Sequence, residues 1–588
     1  MSDLFKTVLL KDPIIADITD SLDYAVISGA SSSTYQQYNA NSQSASNIVF
    51  QIQLPSTSVV MDRHILIQST INFTLTVPAT ANVPAGYTVF DYGLTDAFQA
   101  FPLNKLFSTA TATINNMTVA VNTQDVIDVL LRLNDSRELY RYNGMTPTLP
   151  DQVYGNYSDA YLTNANPLAS INNQSYDNDQ VPRGAYPATF VVNRYTTAGG
   201  VNPVDNSPIA LGQAAAPGEN WKILGTVTVT EPLVGLSPFI FGNTDMNCGG
   251  MVGINTVTLT LNIDSSAKRF FSTRSPYSTI SLGIQGTNNG NPFQNTRMLM
   301  HFLSTQPSDR IRTRCVSPYS EFPRFISTPA VSCAPNSITP LTSQSIQLNQ
   351  LPDYFIIYAR NPMTGQTIQN SASFLSITGI SVNLNNTSGL LASATQQDLW
   401  RISRDNHSTQ SFLEFLGSAA YNNNATGISN TIPTIGSILI LSPSKDLSLP
   451  DYLTSGSIGQ FQINFILNVK NQFAAAITPE IVMVTVNSGI FISEEGSAQV
   501  STGILTKQMV LDTKEEKSEA PYSTAMYKRM VGGSLNNMAL GALKKHRHMF
   551  DKVLHHIRQG VKRHVVPAVD ALAKSGYARA KRQIEDFL

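Results

Sequence analysis

Phe374-Leu-Ser-Ile-Thr-Gly-Ile-Ser-Val-Asn-Leu384 nearly alternates apolar and polar residues and runs into Asn385-Asn386. Thr395-Gln396-Gln397-Asp398-Leu399 and Arg404-Asp405-Asn406-His407-Ser408 follow. About 270 residues upstream the same order occurs, which marks an internal repeat. There it runs Ile114-Asn115-Asn116, then Thr123-Gln124-Asp125-Val126, then Leu131-Arg132-Leu133-Asn134-Asp135-Ser136. Each copy predicts a strand followed by a short helix. A polar N-cap (Asn122 or Thr395) and an acid in the first turn favour each helix start. Order and spacing agree together, which favours duplication over chance likeness in an Asn-rich chain.

Outward from this pair, the same two-residue period recurs in Ile65-Leu-Ile-Gln68, Ile71-Asn-Phe-Thr-Leu-Thr-Val77, Thr226-Val-Thr-Val-Thr230 and Thr256-Val-Thr-Leu-Thr-Leu-Asn-Ile263. It returns in Gln460-Phe-Gln-Ile-Asn-Phe-Ile-Leu-Asn-Val469 and Ile481-Val-Met-Val-Thr-Val486. Alternation rich in Val, Ile, Thr and Phe predicts half-buried strands. Many short strands separated by Gly, Pro and Asn predict an all-β protein of sandwiches or barrels. Residues 1–46 end in a Ser/Gln/Asn-rich stretch and predict a flexible arm. Residues 142–220, rich in Asn, Pro, Gly and Tyr, predict a long surface insertion. Residues 265–295 predict a connector between halves at 47–264 and 296–495. Residues 496–533 predict an extended linker.

Only 13% of the 588 residues are charged, about half the usual ~25%. Polar surface must come from Asn, Ser, Thr and Gln, which suits a β protein buried against copies of itself. A secreted β-rich adhesin shares this composition. Three cysteines (Cys248, Cys315, Cys333) make no disulfide framework, and Met-Ser-Asp-Leu-Phe-Lys carries no apolar signal core. No apolar run approaches a membrane span. The expectation is synthesis in a reducing compartment, with the nine Asn-x-Ser/Thr matches following from Asn richness rather than glycosylation. No phosphate loop, zinc-protease, nucleophile-elbow or paired Cys-x-x-Cys motif occurs. The body's three His (His64, His301, His407) lie far apart in sequence. No catalytic, cofactor-binding or metal-binding residues are predicted.

Residues 534–588 differ in chemistry. They carry +7 (11 basic against 4 acidic residues) on a body of −8, and hold 5 of the 8 His. Leu535, Met538, Ala542, Met549, Val553, Ile557, Val561 and Val565 recur at helical spacing. Lys544, Lys545, Arg547, Lys552, Arg558, Lys562 and Arg563 fall mostly off that face. Pro567 breaks the helix, and a second amphipathic segment follows it. Such a helix lies in a membrane interface, neutralises packaged nucleic acid, or packs on protein. His546, His548, His555, His556 and His564 would raise the tail charge on acidification, which suits the membrane role.

Phe98-Gln-Ala-Phe-Pro-Leu-Asn-Lys-Leu-Phe107, Ala112-Thr-Ile-Asn-Asn-Met-Thr-Val119 and Val229-Thr-Glu-Pro-Leu-Val-Gly-Leu-Ser-Pro-Phe239 carry a family likeness. So do Gln124-Asp125-Val126, Ser388-Gly-Leu-Leu-Ala-Ser-Ala-Thr-Gln-Gln-Asp-Leu399 and Gly503-Ile-Leu-Thr-Lys-Gln-Met509. Over about residues 47–510 the chain resembles the double jelly-roll major capsid proteins of the Polinton, adintovirus and virophage group of eukaryotic DNA viruses. The resemblance implies two tandem eight-stranded jelly rolls with short helices. It implies a homotrimer forming a pseudo-hexagonal capsomer, an icosahedral shell, and a place in the virion after assembly inside the host cell. Penton and minor capsid proteins are the implied partners.

Met530-Val531-Gly532-Gly533-Ser534 resembles the site cut by adenovirus-type maturation proteases. Of three Gly-Gly pairs only this one has the required residue two positions ahead, and it stands at the charge boundary. A viral maturation protease is thus an expected partner, with a flexible hinge as the alternative. The released peptide would meet host membrane or viral genome. A single-jelly-roll capsid protein with a projecting domain, a secreted carbohydrate-binding or adhesive β-sandwich, and a glycoside hydrolase are the competing classes.

Overall fold

In Thr256–Ile263 the side chains of Val257, Leu259, Leu261 and Ile263 are buried, while the threonines and the asparagine between them face outward. This is the division a sheet with one wet face requires. Such strands assemble, in this computed structural model, into the two jelly rolls that the resemblance implies. The structure describes residues 32–506 except 57–58, 78–89, 91, 93–95, 135–138, 140–145, 154–186, 197–218, 240–249, 274–277, 284–290, 305–313, 424–427, 448, 450–452, 495 and 504.

Among the described residues, the seven-stranded sheet of the first roll runs Ser32–Asn39, Phe293–Ser304, Leu66–Val77, Glu219–Pro232, Ala188–Thr196, with two short strands beside this path. Facing it is a five-stranded sheet: Ser42–Gln43, Asn47–Gln53, Thr256–Ile263, Phe107–Ile114, Met117–Val121. The second roll repeats the plan. One sheet runs Arg314–Glu321, Glu480–Glu494, Tyr354–Arg360, Leu439–Leu441, and the other Ile338–Thr342, Ser457–Lys470, Ser376–Leu384, Thr387–Leu390. Four short helices matter below: α1 (Pro102–Leu106), α2 (Thr123–Leu130), α3 (Gln396–Asp405) and α4 (Phe412–Leu416).

The repeat is visible in atomic detail at the two Asn-Asn turns. Asn115 (φ 53) and Asn385 (φ 52) both take the left-handed conformation, which asparagine tolerates better than most residues. Each ties its turn to the neighbouring strand in the same way. Asn115 N–H donates to the Thr256 carbonyl (2.9 Å), and its Oδ1 accepts from Asn255 N–H (2.8 Å). Asn385 N–H donates to the Gln462 carbonyl (2.8 Å), and its Oδ1 accepts from Gln462 N–H (2.8 Å).

The first core centres on Phe73, whose ring meets Phe270 at 5.1 Å and Phe98 at 5.8 Å, edge to face. Each such buried phenyl ring is worth about 1.5–3 kcal/mol, with about 0.5–1.5 more for edge-to-face geometry. Gly225 sits against this ring, and a Cβ there would lie 2.2 Å from Phe73 Cζ. The second core holds Phe355, Ile357, Ile377, Phe465, Leu467, Val469 and Met483.

The expected segment bounds need correction: Phe293–Ser304 belongs to the first roll's sheet, so the second roll starts after 304 rather than at 296, and Ser497–Thr502 of the expected 496–533 linker is a strand paired with Glu480–Glu494. Within the 1–46 arm, Ser32–Asn39 pairs along its whole length with Phe293–Ser304, and Tyr35 stacks on His301 at 4.2 Å. The 265–295 segment contributes Phe271–Thr273 and Thr279–Leu282. Of the 142–220 insertion, Ala188–Thr196 pairs with Glu219–Pro232, and Val153 bridges to Thr434 of the second roll. Thr395 caps α3 through a reciprocal capping box with Asp398. Asn122 makes no side-chain cap on α2. The acid there, Asp125, turns away from the helix end toward arginines of the other roll. Ile481-Val-Met-Val is not half-buried: Ile481 and Met483 enter the second core, and Val482 and Val484 pack against the first roll. Cys315 and Cys333 are buried and unpaired, and burial raises both thiols.

Candidate functional site: the seam between the rolls

A subunit that builds by contact carries its functional chemistry in its interfaces, and the best-defined interface joins the two rolls. Ile356, Tyr358, Ile438, Ile440, Val482 and Val484 point out of the second roll's sheet and merge with the first roll's core. α2 lies against this sheet with Val126, Ile127 and Val129 buried. Its apolar face follows the helical period, so the same face carries Asp125, Asp128 and, a turn later, Arg132 into the seam.

These charges are paired. The Asp125 carboxylate, 0% exposed, meets Arg360 Nη2 at 2.6 Å and also Arg324. Arg360 Nε donates to Glu480 Oε1 at 2.8 Å, and Tyr358 Oη donates to the Asp125 carbonyl at 2.7 Å. Asp128 pairs with Lys105 and Arg269. Arg132 Nε reaches Glu414 Oε1 of α4 at 2.7 Å, and its Nη1 donates to the Asp128 carbonyl at 2.9 Å. Burial alone would raise the Asp128 carboxyl, but Lys105, Arg269 and Arg132 hold it well below the usual range. Burial, with Arg269 and Arg132 nearby, brings the Lys105 ammonium down to about 8 against the pull of Asp128. Burial also pushes Tyr358 up. Arg360 stays firmly protonated because Tyr358, Asp125 and Glu480 outweigh its burial.

Buried ion pairs add little net stability, yet breaking one costs about 3–5 kcal/mol. The network therefore penalises any register but one between the rolls. At the other end of the seam the Asn-Asn turn takes part. Asn115 Nδ2 donates to the Gly253 and Ser497 carbonyls, and Ala498 N–H donates to Asn116 Oδ1 at 2.7 Å. Ser493 Oγ donates to the Val252 carbonyl at 2.6 Å.

Apart from the seam, Glu231 is fully buried beside α1. Its oxygens accept from Leu103 N–H (3.0 Å), Asn104 N–H (2.9 Å) and Asn104 Nδ2 (2.9 Å). Burial pushes its carboxyl up to about 7 against these donors.

The residues predicted from sequence fall elsewhere. Met530, Gly532, Gly533, Ser534, the basic set Lys544–Arg563 and the five tail histidines lie outside the described residues. Sequence reasoning noted Asp125 in the repeat, in the family likeness and as a helix-start signal, but missed the seam. The signal was the spacing of Asp125, Asp128 and Arg132, three charges on one helical face in a chain poor in charge. Among the described residues, no group of three His, Cys, Asp or Glu is placed to hold a metal ion, and no helix is long and apolar enough to cross a membrane.

Comparison with known proteins places this architecture. Residues 2–303 match the model of the Sputnik virophage major capsid protein first domain, and residues 322–489 that of the major capsid protein V20 C-terminal domain. The two matches are separated by residues 304–321, where the chain passes from the first roll to the second. "Putative capsid protein V20" of Sputnik virophage is 26% identical over 522 residues, covering 86% of this chain and 81% of the relative. The cryo-EM structure of the Sputnik virophage contains a chain of the same fold. It has a TM-score of 0.67 and 22% identity, covering 90% of this chain and 99% of that one. The crystal structure of the mavirus major capsid protein is similar at TM-score 0.61 and 14% identity, covering 82% and 93%. The chain thus belongs to the Sputnik virophage major capsid protein family, and is a virion structural protein of a family that is not enzymatic.

Proposed function

We propose that three copies of this chain form a pseudo-hexagonal capsomer that tiles an icosahedral shell. The observation that carries this is the repetition of one roll plan, down to the paired turns at Asn115 and Asn385. Two like units per chain and three chains give six like units, and point-group closure is the common outcome for homo-oligomers. Low surface charge supports contact with copies of the same chain. Capsid proteins of this kind assemble with themselves; penton and minor capsid proteins fill the positions that a hexagonal unit cannot. Native mass spectrometry of the full chain tests the trimer. A trimer peak that persists on dilution to the micromolar range is expected, and monomer alone at high concentration would overturn the proposal.

The C-terminal segment 534–588 is proposed to be released after Gly533 by a viral maturation protease and to act on membrane. The charge boundary at the Gly-Gly pair and the basic amphipathic pattern with five histidines support this. Mass spectrometry of mature particles should find a C-terminus at Gly533. Intact Leu588 on most chains would refute release. Tight genome binding by the peptide without liposome leakage would move its role from membrane to packaging.

A further inference from the structure

A small cavity opens in the seam beside the Asp128 cluster. Gln99, Lys105, Asp128 and Arg132 of the first roll line it, and Ala372 and Ile435 of the second complete it. It has room for about one water molecule. Its polar walls hold hydrogen-bonding capacity that the chain itself does not use.

Gln99 is buried, and its Nε2 donates to Ser371 Oγ of the second roll at 3.2 Å. The Ser371 hydroxyl has one proton, which faces the Lys268 carbonyl (2.8 Å) and the Ile368 carbonyl (3.2 Å). Toward Gln99 it can therefore only accept, which fixes the amide with its nitrogen at Ser371 and its oxygen turned away. That oxygen, Oε1, is buried and has no hydrogen-bond partner among the described residues. Buried polar atoms are rarely left so. Lys105 offers the opposite surplus. Its ammonium carries three N–H donors, and among the described residues it bonds only Asp128.

A guest in this cavity must accept from Lys105 and donate to Gln99. Chloride would be drawn by Lys105, Arg132 and Arg269, but it has no proton for Gln99 Oε1. A metal cation would meet the ammonium head on, and an apolar guest would leave both groups unmet. Water accepts and donates at once. Its second proton has the Asp128 carboxylate beside it, so it reaches the three bonds usual for a buried water.

We propose that one water molecule is a fixed part of the seam, accepting from Lys105 Nζ and donating to Gln99 Oε1. It extends the Asp128 network through Gln99 to Ser371, so at this point the two rolls are joined through solvent rather than through a direct pair of side chains. The inference concerns the single chain and does not depend on the trimer.

Crystals of the full chain, studied at a resolution that shows ordered waters, should give a peak about 2.7–3.2 Å from both Lys105 Nζ and Gln99 Oε1. Exchange of chloride for bromide should give no anomalous signal there. Gln99→Leu, similar in size but without the acceptor, should lose the peak and keep the Lys105–Asp128 pair. A bromide signal would replace the water with an anion and overturn the assignment. So would no peak in the wild type, a direct bond between Lys105 and Gln99, or a peak unmoved by Gln99→Leu. Should that variant not fold, the wild-type and bromide maps decide alone.

Discussion

Asp125→Asn is the sharpest single test of the seam. The substitution keeps shape and removes charge at a carboxylate with no exposure, leaving Arg360 and Arg324 without their shared anion. Removing one partner of a buried pair costs about 3–5 kcal/mol. Arg360 keeps Glu480 at 2.8 Å, and 30% of the Arg324 side chain is already in solvent, so the lower end, about 3 kcal/mol, applies. If the two rolls unfold together, an unfolding entropy of about 2.1 cal/mol/K per residue makes this a drop in Tm of about 3 °C. The equivalent change Asp398→Asn touches only a capping box, worth about 0.5–1 kcal/mol, or under about 1 °C. Denaturant midpoints and calorimetry on both variants under identical conditions give the comparison. The two positions are related by the internal repeat, so residue type and local sequence largely cancel. Equal losses at 125 and 398 would refute the claim that the seam network fixes one roll against the other.

Gly225→Ala should destabilise the first roll by about 1–3 kcal/mol or more, because the new Cβ would lie 2.2 Å from a Phe73 ring already packed among Phe98 and Phe270; denaturant titration that shows no loss would mean the ring can move. For Glu231 the folded-state pKa of about 7 lies above its ordinary value near 4.5, so its contribution is fully present below about pH 4.5 and is lost as pH rises through 7. The gap of about 2.5 units corresponds to about 3 kcal/mol. Glu231→Gln should flatten stability against pH across that window, and an unchanged slope in pH-resolved unfolding would assign the dependence elsewhere. A synthetic 534–588 peptide should leak anionic liposomes more at about pH 5.5 than at about pH 7.5, on either side of the His reference value; equal leakage removes the histidines from the argument.

Period-2 alternation located the strands well where one face is wet, as in Thr256–Ile263, because burial on one side leaves its mark at every second residue. It misjudged Ile481-Val-Met-Val, where a second roll buries the other face too. Nothing local distinguishes a strand lying between two cores from one lining a single core. The Asn-Asn pairs were legible as a repeat but not as turns, although asparagine is one of the few residues suited to the positive φ that both adopt. The pairing of Ser32–Asn39 was hidden, since its partner lies about 260 residues away and its own side chains are polar; the backbone ladder supplies the contact. The seam charges were half legible. Spacing put Asp125, Asp128 and Arg132 on one helical face, but their partners at 269, 324, 360 and 414 are brought together only by the fold.

The opposite burial of Asp125 and Asp398 has an evolutionary consequence. In a ring of six identical subunits, any substitution that strengthens one joint strengthens all six, so a shell cannot have permanent joints in its bricks and correctable joints in its mortar. Fusing two copies in one gene breaks that constraint. Asp125 is a permanent rivet within the chain, while Asp398 can vary without disturbing the seam. Changes around 398 therefore escape the constraint that the folded seam places on 125, a separation that a single roll with one such residue would lack.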